Sequence, residues 1–198
     1  DPMACWQAEG VYWEPSFSGQ IRRPTKAIPP LPLTERKVIA RRCAKEVPAG
    51  AVLNLGGGLS ADVGSIVAEE GCLDRVTMAA ESGMIGGVMC ALPNFGSSYN
   101  PECTLEHNAT FDLIDGGGLD MTCLGLGECD AEGNVNVSKF GPRLTGPGGF
   151  IDITNATPKV VFCGTFMGKA KYAVGDGKLT ILQEGTIQKF VKTVEQIT

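Results

Sequence analysis

Three glycine clusters, each placed after a short apolar run, constrain the fold more than any other feature of this chain. AVLNL (Ala51–Leu55) runs into Gly56, Gly57 and Gly58. RVTMAA (75–80) runs into Glu81, then Gly83, Gly86 and Gly87. FDLI (111–114) runs into Gly116, Gly117 and Gly118. Runs of four to six apolar residues have the length of buried strands, and clustered glycines supply loops with backbone angles that other residues avoid. Three strands with a glycine loop at each carboxyl end, if parallel, bring the three loops to one edge of one sheet, which is where open α/β sheets hold ligands.

Helical patterns separate the strands. TERKVIARRCAKEV begins at Thr34, a capping residue, repeats apolar positions at Val38, Ile39, Ala40, Cys43 and Val47, and is stopped by Pro48 and Gly50. A second helix is expected from Ser60 to Glu70. MTCLGL (121–126) and KVVFCGTF (159–166) read as further buried strands, and VNVSKF after the DAEGN turn alternates as a strand does. GDGK places a hairpin between AV and LTIL, and EGT a second one before IQKFVKTV. The expected fold is α/β: an open, mainly parallel sheet flanked by helices, with C-terminal antiparallel hairpins.

Residues 1–33 differ from the rest. Trp6, Tyr12, Trp13 and Phe17 stand among Pro15, Pro24, Pro29, Pro30 and Pro32 with no helix or strand period, so this stretch is expected to be an arm lying on a surface, ahead of one domain over 34–198. A formal charge of −5 without a basic stripe argues against a nucleic-acid partner, and no apolar run has membrane-spanning length. Eight scattered cysteines with no CxxC motif point to reduced thiols in a cytoplasmic protein. Cys103 and His107 have i, i+4 spacing, but two ligands make an incomplete site and no metal is expected.

Glu81 is the one acid set directly between a strand end and the central glycine loop. Two readings are open for it: a nucleophilic carboxylate at a ligand site, or a solvated loop residue. Gly83, Gly86 and Gly87 are expected to let a ligand approach the backbone. In GPGGFIDIT (146–154), Gly148 and Gly149 either aim two backbone N–H groups at a developing negative charge or make an ordinary tight turn. Asp115 and Asp120 flank the third glycine cluster and are candidates to shape the pocket.

NLGGG, AAESGMIGG, DLIDGGGLD, NVSKFGPRLTGPGGFIDIT and KVVFCGTF, in that order, resemble the family I coenzyme A transferases, and SGQIRRP and IPPLPLTERKVIARR extend the likeness toward single-chain bacterial short-chain acyl-CoA transferases. The resemblance implies two similar α/β domains, of which this chain corresponds to the second, with 1–33 as the linker from an N-terminal domain that binds much of coenzyme A. It places the catalytic glutamate on Glu81 and the oxyanion donors on Asn54 and the Gly148–Gly149 backbone. Gly57, Gly58, Gly83, Gly117 and Gly118 are then candidates for contact with coenzyme A. Acyl-CoA and a short-chain carboxylate would be the substrates, and a homo-oligomer the expected assembly. Ser82 stands where many two-subunit members carry Asn. Two other readings remain at this point: a module that only completes a coenzyme A cleft or an oligomer, and a hydrolase in which water resolves a glutamyl–CoA thioester. Glu81 and the GPGGF loop weigh against the first; the residues do not separate transfer from hydrolysis.

Overall fold

A computed structural model describes residues 5–198; positions 1–4 of the expected arm lie outside the described residues. In chain order the elements are α1 (Glu35–Ala44), β1 (Ala51–Leu55), α2 (Asp62–Glu69), β2 (Val76–Ala79), β3 (Met84–Ile85), β4 (Val88–Met89), β5 (Ser98–Tyr99), β6 (Cys103–Thr104) and α3 (His107–Asp115). There follow β7 (Met121–Leu124), β8 (Glu128–Cys129), β9 (Val135–Asn136), β10 (Lys139–Phe140), β11 (Arg143–Leu144), α4 (Phe150–Ala156), β12 (Val160–Phe162), β13 (Met167–Gly168), β14 (Lys171–Gly175), β15 (Lys178–Gln183) and β16 (Ile187–Gln188).

The main sheet has the order β12-β7-β1-β2-β3-β6. Its first four strands run parallel, and β3 and β6 add an antiparallel edge. The strand period of two sorts its residues between two cores. Leu53, Leu55, Met78, Met121 and Cys123 face Val63 and Ile66 of α2 and Ala40 and Cys43 of α1. Val52, Ala79, Leu124 and Val160 face Ile114 of α3 and Ile153 of α4. Burial on both faces explains why β1 reads as a continuous apolar run. Leu53 is fully buried, and truncating such a residue to Ala costs about 2–5 kcal/mol.

Several expectations give way. The stretch 111–114 is not a strand but the second half of α3, where Thr110 and Ile114, four apart, make the buried face. The glycines after it therefore end a helix: the amides of Gly116, Gly117 and Gly118 donate to Asp112, Ile114 and Leu113 carbonyls. They precede β7, so they lie at the opposite edge of the sheet from the loops after β1 and β2. Asp120 works at that edge too, its carboxylate accepting from the Val52 amide at 2.7 Å. KVVFCGTF contributes only the short β12 at an outer position, with Phe162 exposed.

VNVSKF is broken in two because the buried Asn136 side chain accepts from the Ser138 and Lys139 amides and turns the chain. The GDGK hairpin forms as β14–β15, with Asp176 and Gly177 at φ 50° and 71°. EGT returns β16 to β13 rather than to the preceding strand. Helix α1 stops at Ala44, short of Val47, and Thr34 precedes it without a side-chain cap bond. α2 starts at Asp62; the Ser60 hydroxyl donates instead to the Gly56 carbonyl at 3.1 Å.

The described part of the arm lies along the domain. Phe17 is buried against Tyr99 with ring centroids 4.9 Å apart, Asn100 exchanges hydrogen bonds with Arg23, and the Leu31 amide donates to Glu69 at 2.6 Å. Trp6 and Trp13 remain exposed. All eight cysteines are free thiols, and no helix among the described residues is long and apolar enough to cross a membrane.

Candidate functional site

Glu81 sits at the carboxyl end of β2, in a turn closed by two bonds: the Ala80 amide donates to Met84 O at 2.8 Å and the Gly83 amide to Ala80 O at 2.9 Å. Glu81 and Ser82 form the corners of this turn. Glycine is needed at position 83, where φ is 111° and an added Cβ would fall 2.1 Å from the Leu105 carbonyl oxygen. Gly87 meets Tyr99 O in the same way, and Gly86 meets the Glu102 side chain. The expectation that these three glycines open the backbone to a ligand is thus corrected: the chain's own 99–105 segment occupies that space.

Three further segments converge on the turn. α3 brings Phe111 and His107, whose rings meet edge-on with centroids 5.0 Å apart. The turn before α4 brings Gly148 and Gly149. A Cβ built on Gly149 would lie 3.3 Å from Glu81 Oε2 and 2.7 Å from Phe111 Cζ, so carboxylate, ring and glycine backbone share one small volume. The third segment is the loop 91–97: Ser82 Oγ donates to Gly96 O, and Phe95 packs over Gly57, within 3.5 Å of where its Cβ would be. Gly57 and Gly58 follow β1 at this same edge, and Gly58, at φ 85°, has open space around its α-carbon.

The Gly148–Gly149 turn has the backbone of an anion-binding nest. Gly148 is left-handed at φ 57°, and Gly149 follows at φ −79°, ψ 7° as the residue ahead of α4. Among the described residues neither amide donates to a backbone carbonyl, whereas the next amide, Phe150, donates to Pro147 O.

Asn54 lies deeper, fully buried on the face of the sheet that carries Ala79. Its Nδ2 donates to the Ala79 carbonyl at 3.0 Å and its Oδ1 accepts from the Thr122 hydroxyl at 2.9 Å. One amide thereby ties β7, β1 and β2 together two residues before Glu81. The Ala79 carbonyl fixes which way the Asn54 amide faces, because an oxygen that can only accept must meet Nδ2, and the Thr122 hydroxyl is then left to donate to Oδ1.

Burial raises the Glu81 pKa above the ordinary glutamate value, and the charge of His107 pulls it back; no hydrogen bond enters this balance. The carboxylate is half-buried, with its lone pairs uncommitted. Cys103 belongs to β6 and His107 opens α3, so their spacing is not that of one helix, and no cluster of three metal-ligating side chains occurs among the described residues.

No protein-family model matches the chain. The caffeate CoA-transferase of Acetobacterium woodii is 55% identical over 203 aligned positions, covering 100% of this chain and 39% of that enzyme. The acetate CoA-transferase subunit beta of Escherichia coli (strain K12) is 31% identical over 159 residues, covering 75% of this chain and 69% of that subunit. The chain belongs to the family I coenzyme A transferases. The apoenzyme of the acyl-CoA transferase YdiF from Escherichia coli O157:H7 superposes with a TM-score of 0.85 at 38% identity, over 100% of this chain and 36% of that one. A thioester complex of the same enzyme with CoA superposes at 0.77 and 40% identity, over 87% and 32%.

The chain spans less than half the length of the caffeate CoA-transferase and YdiF relatives. Of the residues singled out from the sequence, it gathers Glu81, Gly57, Gly58, Gly148 and Gly149 at one edge with Asn54 beneath them. It removes Gly117 and Gly118 to the other edge, and commits Gly83 to backbone packing. In the sequence His107 stood out only as half of an incomplete metal pair with Cys103, Phe111 only as the start of a strand, and Phe95 not at all. For the first two a signal existed: a lone histidine followed four residues later by an aromatic, within HNATFDLID, puts both on one side of a helix.

Proposed function

We propose that this chain is the glutamate-bearing domain of an acyl-CoA:carboxylate CoA-transferase. The observation that carries the reading is the half-buried carboxylate of Glu81 at a strand end, beside two backbone amides of the Gly148–Gly149 nest that no backbone carbonyl among the described residues uses. The thioester complex of the YdiF relative with CoA supports it.

Glu81 attacks the thioester carbonyl of an acyl-CoA; the C–S bond breaks, giving an acyl–glutamyl anhydride and CoA thiolate. The thiolate attacks the Glu81 carbonyl carbon and expels the first carboxylate, leaving a glutamyl–CoA thioester. A second carboxylate reverses both steps and departs as the new acyl-CoA. This is covalent, ping-pong catalysis. Negative charge gathers on the carbonyl oxygen at each addition and is met by the nest amides; loss of one such donor typically costs about a hundred- to a thousand-fold. The remaining N–H of Asn54 is a second donor, held in direction by Thr122 and Ala79. Gly57 and Gly58 line the approach for coenzyme A. Most of its contacts fall to an N-terminal domain, reached through residues 1–33, and the assembled enzyme is a homo-oligomer.

The test uses the full-length enzyme. Incubation with acyl-CoA, followed by proteolysis and mass spectrometry, is expected to show coenzyme A on the peptide that carries Glu81, and Glu81→Ala to abolish turnover. An active Glu81→Ala enzyme with no adduct on this peptide would overturn the proposal.

A further inference from the structure

The reaction above makes no use of Ser82, although it adjoins the nucleophile. Its hydroxyl donates to the Gly96 carbonyl, which ties the turn of Glu81 to loop 91–97. One residue earlier in that loop, the Phe95 ring packs over Gly57, with three ring atoms between 3.5 and 3.7 Å from where a Cβ would be. Two consecutive residues therefore hold the turn after β2 and the loop after β1. Asn54 joins the same two strands from below, and loop 91–97 joins them again at the carboxyl edge. The loop is stiff enough for this. The Cys90 amide donates to Ser97 O at 2.9 Å, Asn94 to Ala91 O at 3.0 Å and Ser97 to Asn94 O at 3.1 Å. It stands on the β4–β5 pair, where Met89 and Ser98 are buried. The arm holds it from outside: the Gly10 amide donates to Asn94 Oδ1 at 2.9 Å, and a Cβ on Gly10 would fall 2.4 Å from Pro93 Cγ. The loop after β1 is anchored on its other side by Arg36, whose guanidinium donates to Gly58 O at 3.1 Å.

The cycle proposed above, on which this inference rests, brings an acyl-CoA past Gly57 and Gly58 to Glu81. The coenzyme is seated on one loop and attacked from another, so the rate depends on the gap between them; a misplacement of about 1 Å costs about a hundred-fold. Each loop can be well ordered on its own strand while that gap still varies. We propose that loop 91–97 is a brace that sets the gap, with Ser82 and Phe95 as its positioning residues. They act through the backbone they hold and leave the reacting atoms to Glu81 and the nest. Two consequences follow from the geometry. Release of either end frees the same gap, so the effects of losing both contacts do not add. The Gly148–Gly149 nest lies on a different segment, so reactions of the Glu81 carbonyl that need no seated coenzyme are insensitive to the brace.

The experiment uses the full-length enzyme with acetyl-, propionyl- or butyryl-CoA, whichever the wild type accepts, and follows formation of the glutamyl–CoA thioester by rapid quench and mass spectrometry. Ser82 is exposed, so Ser82→Ala leaves the fold intact. It is expected to lower the limiting rate of thioester formation about tenfold, with the half-saturating acyl-CoA concentration within about twofold. Ser82→Thr, which keeps the hydroxyl, should retain most of the rate. Phe95→Leu, which keeps apolar packing but loses the ring over Gly57, should resemble Ser82→Ala, and the double variant should be no slower than the slower single. Once formed, the thioesters of all these proteins should be discharged by neutral hydroxylamine at equal rates. An unchanged rate in Ser82→Ala, multiplied losses in the double variant, or an equal loss with hydroxylamine would overturn the brace. Failure of the wild-type enzyme to form a thioester with any of the three would instead remove the assignment of Glu81, and this role with it.

Discussion

Gly149→Ala tests the site where three elements meet. The backbone tolerates alanine there, since φ is −79°. The side chain has no room. Its Cβ would fall 2.7 Å from Phe111 Cζ and 3.3 Å from Glu81 Oε2, where ordinary contact begins at 3.4 Å. The ring must therefore retreat by about 0.7 Å, and overpacking of that size costs about 1–3 kcal/mol. Replacing Gly by Ala ahead of α4 also weakens a cap, by about 1 kcal/mol or less. The carboxylate itself is overlapped by only about 0.1 Å, far below the roughly 1 Å that costs a hundred-fold in rate. The expected result is thus a loss of about tenfold in kcat/KM with acyl-CoA, about 1.4 kcal/mol, and a clear drop in melting temperature. Phe111→Leu removes the Cζ contact, so the double variant should regain most of the lost activity while keeping the capping penalty. Steady-state kinetics and thermal melts of the four proteins complete the cycle. A fully active, unshifted Gly149→Ala, or a double variant that is merely the sum of the two singles, would show that Phe111 and Glu81 do not meet at Gly149.

Thr122→Val should cost about 1–3 kcal/mol in urea unfolding, because it strips the buried Asn54 oxygen of its donor, while Thr122→Ser should be near neutral. Gly83→Ala, whose Cβ would strike the Leu105 carbonyl, should lose at least about 3 kcal/mol; Gly58→Ala, also left-handed but in open space, should lose only about 1–2 kcal/mol, and thermal midpoints rank the two. The pH–rate profile should fall on the acid side at a pH above the ordinary glutamate range, since burial holds the Glu81 pKa up and only the carboxylate attacks; His107→Gln should move that limb higher. Stability runs the other way. The folded domain holds the Glu81 proton more tightly than the unfolded chain does, so its contribution is complete below the unfolded pKa and is lost as pH rises through the folded one. Glu81→Gln should accordingly melt above wild type at neutral pH, with the gap closing on acidification.

The parallel core was legible because burial on both faces writes itself as unbroken apolar runs, as at Ala51–Leu55. The same rule misled at 111–114. Four adjacent residues there are apolar or flanked by apolar ones, yet only Ile114 among them is buried, together with Thr110 one turn before. A polar helix face at Asn108, Asp112 and Asp115 was the competing signal, and a window of four residues is too short to weigh the two periods. That one confusion carried the third glycine cluster to the wrong edge and two glycines into the wrong site. Glu81 lies at a strand end as expected, because that position depends only on β2. That α3 brings Phe111, with His107 against it, to the place where Glu81 meets Gly149 is a tertiary contact that no local pattern encodes.

Glycine marks places where backbone must come close to something, but not what that something is. At Gly148–Gly149 it leaves amides without backbone partners; at Gly83 and Gly87 the approaching group is the chain's own carbonyl. The second use matters to the chemistry as much as the first. A carboxylate held by donated hydrogen bonds would be well placed but a poorer nucleophile, since each bond occupies a lone pair and lowers its basicity. Here the turn is clamped through main-chain contacts between residues 80–87 and 99–105, so Glu81 is positioned by its backbone while its oxygens stay free of protein donors. A clamp of that kind has one further requirement: at positions 83, 86 and 87, where an added Cβ would strike the facing segment, the residue must be glycine, while Met84 and Ile85 pair with Thr104 and Cys103 as ordinary strand residues. The spacing of Gly83, Gly86 and Gly87 is therefore set by packing against residues 99–105.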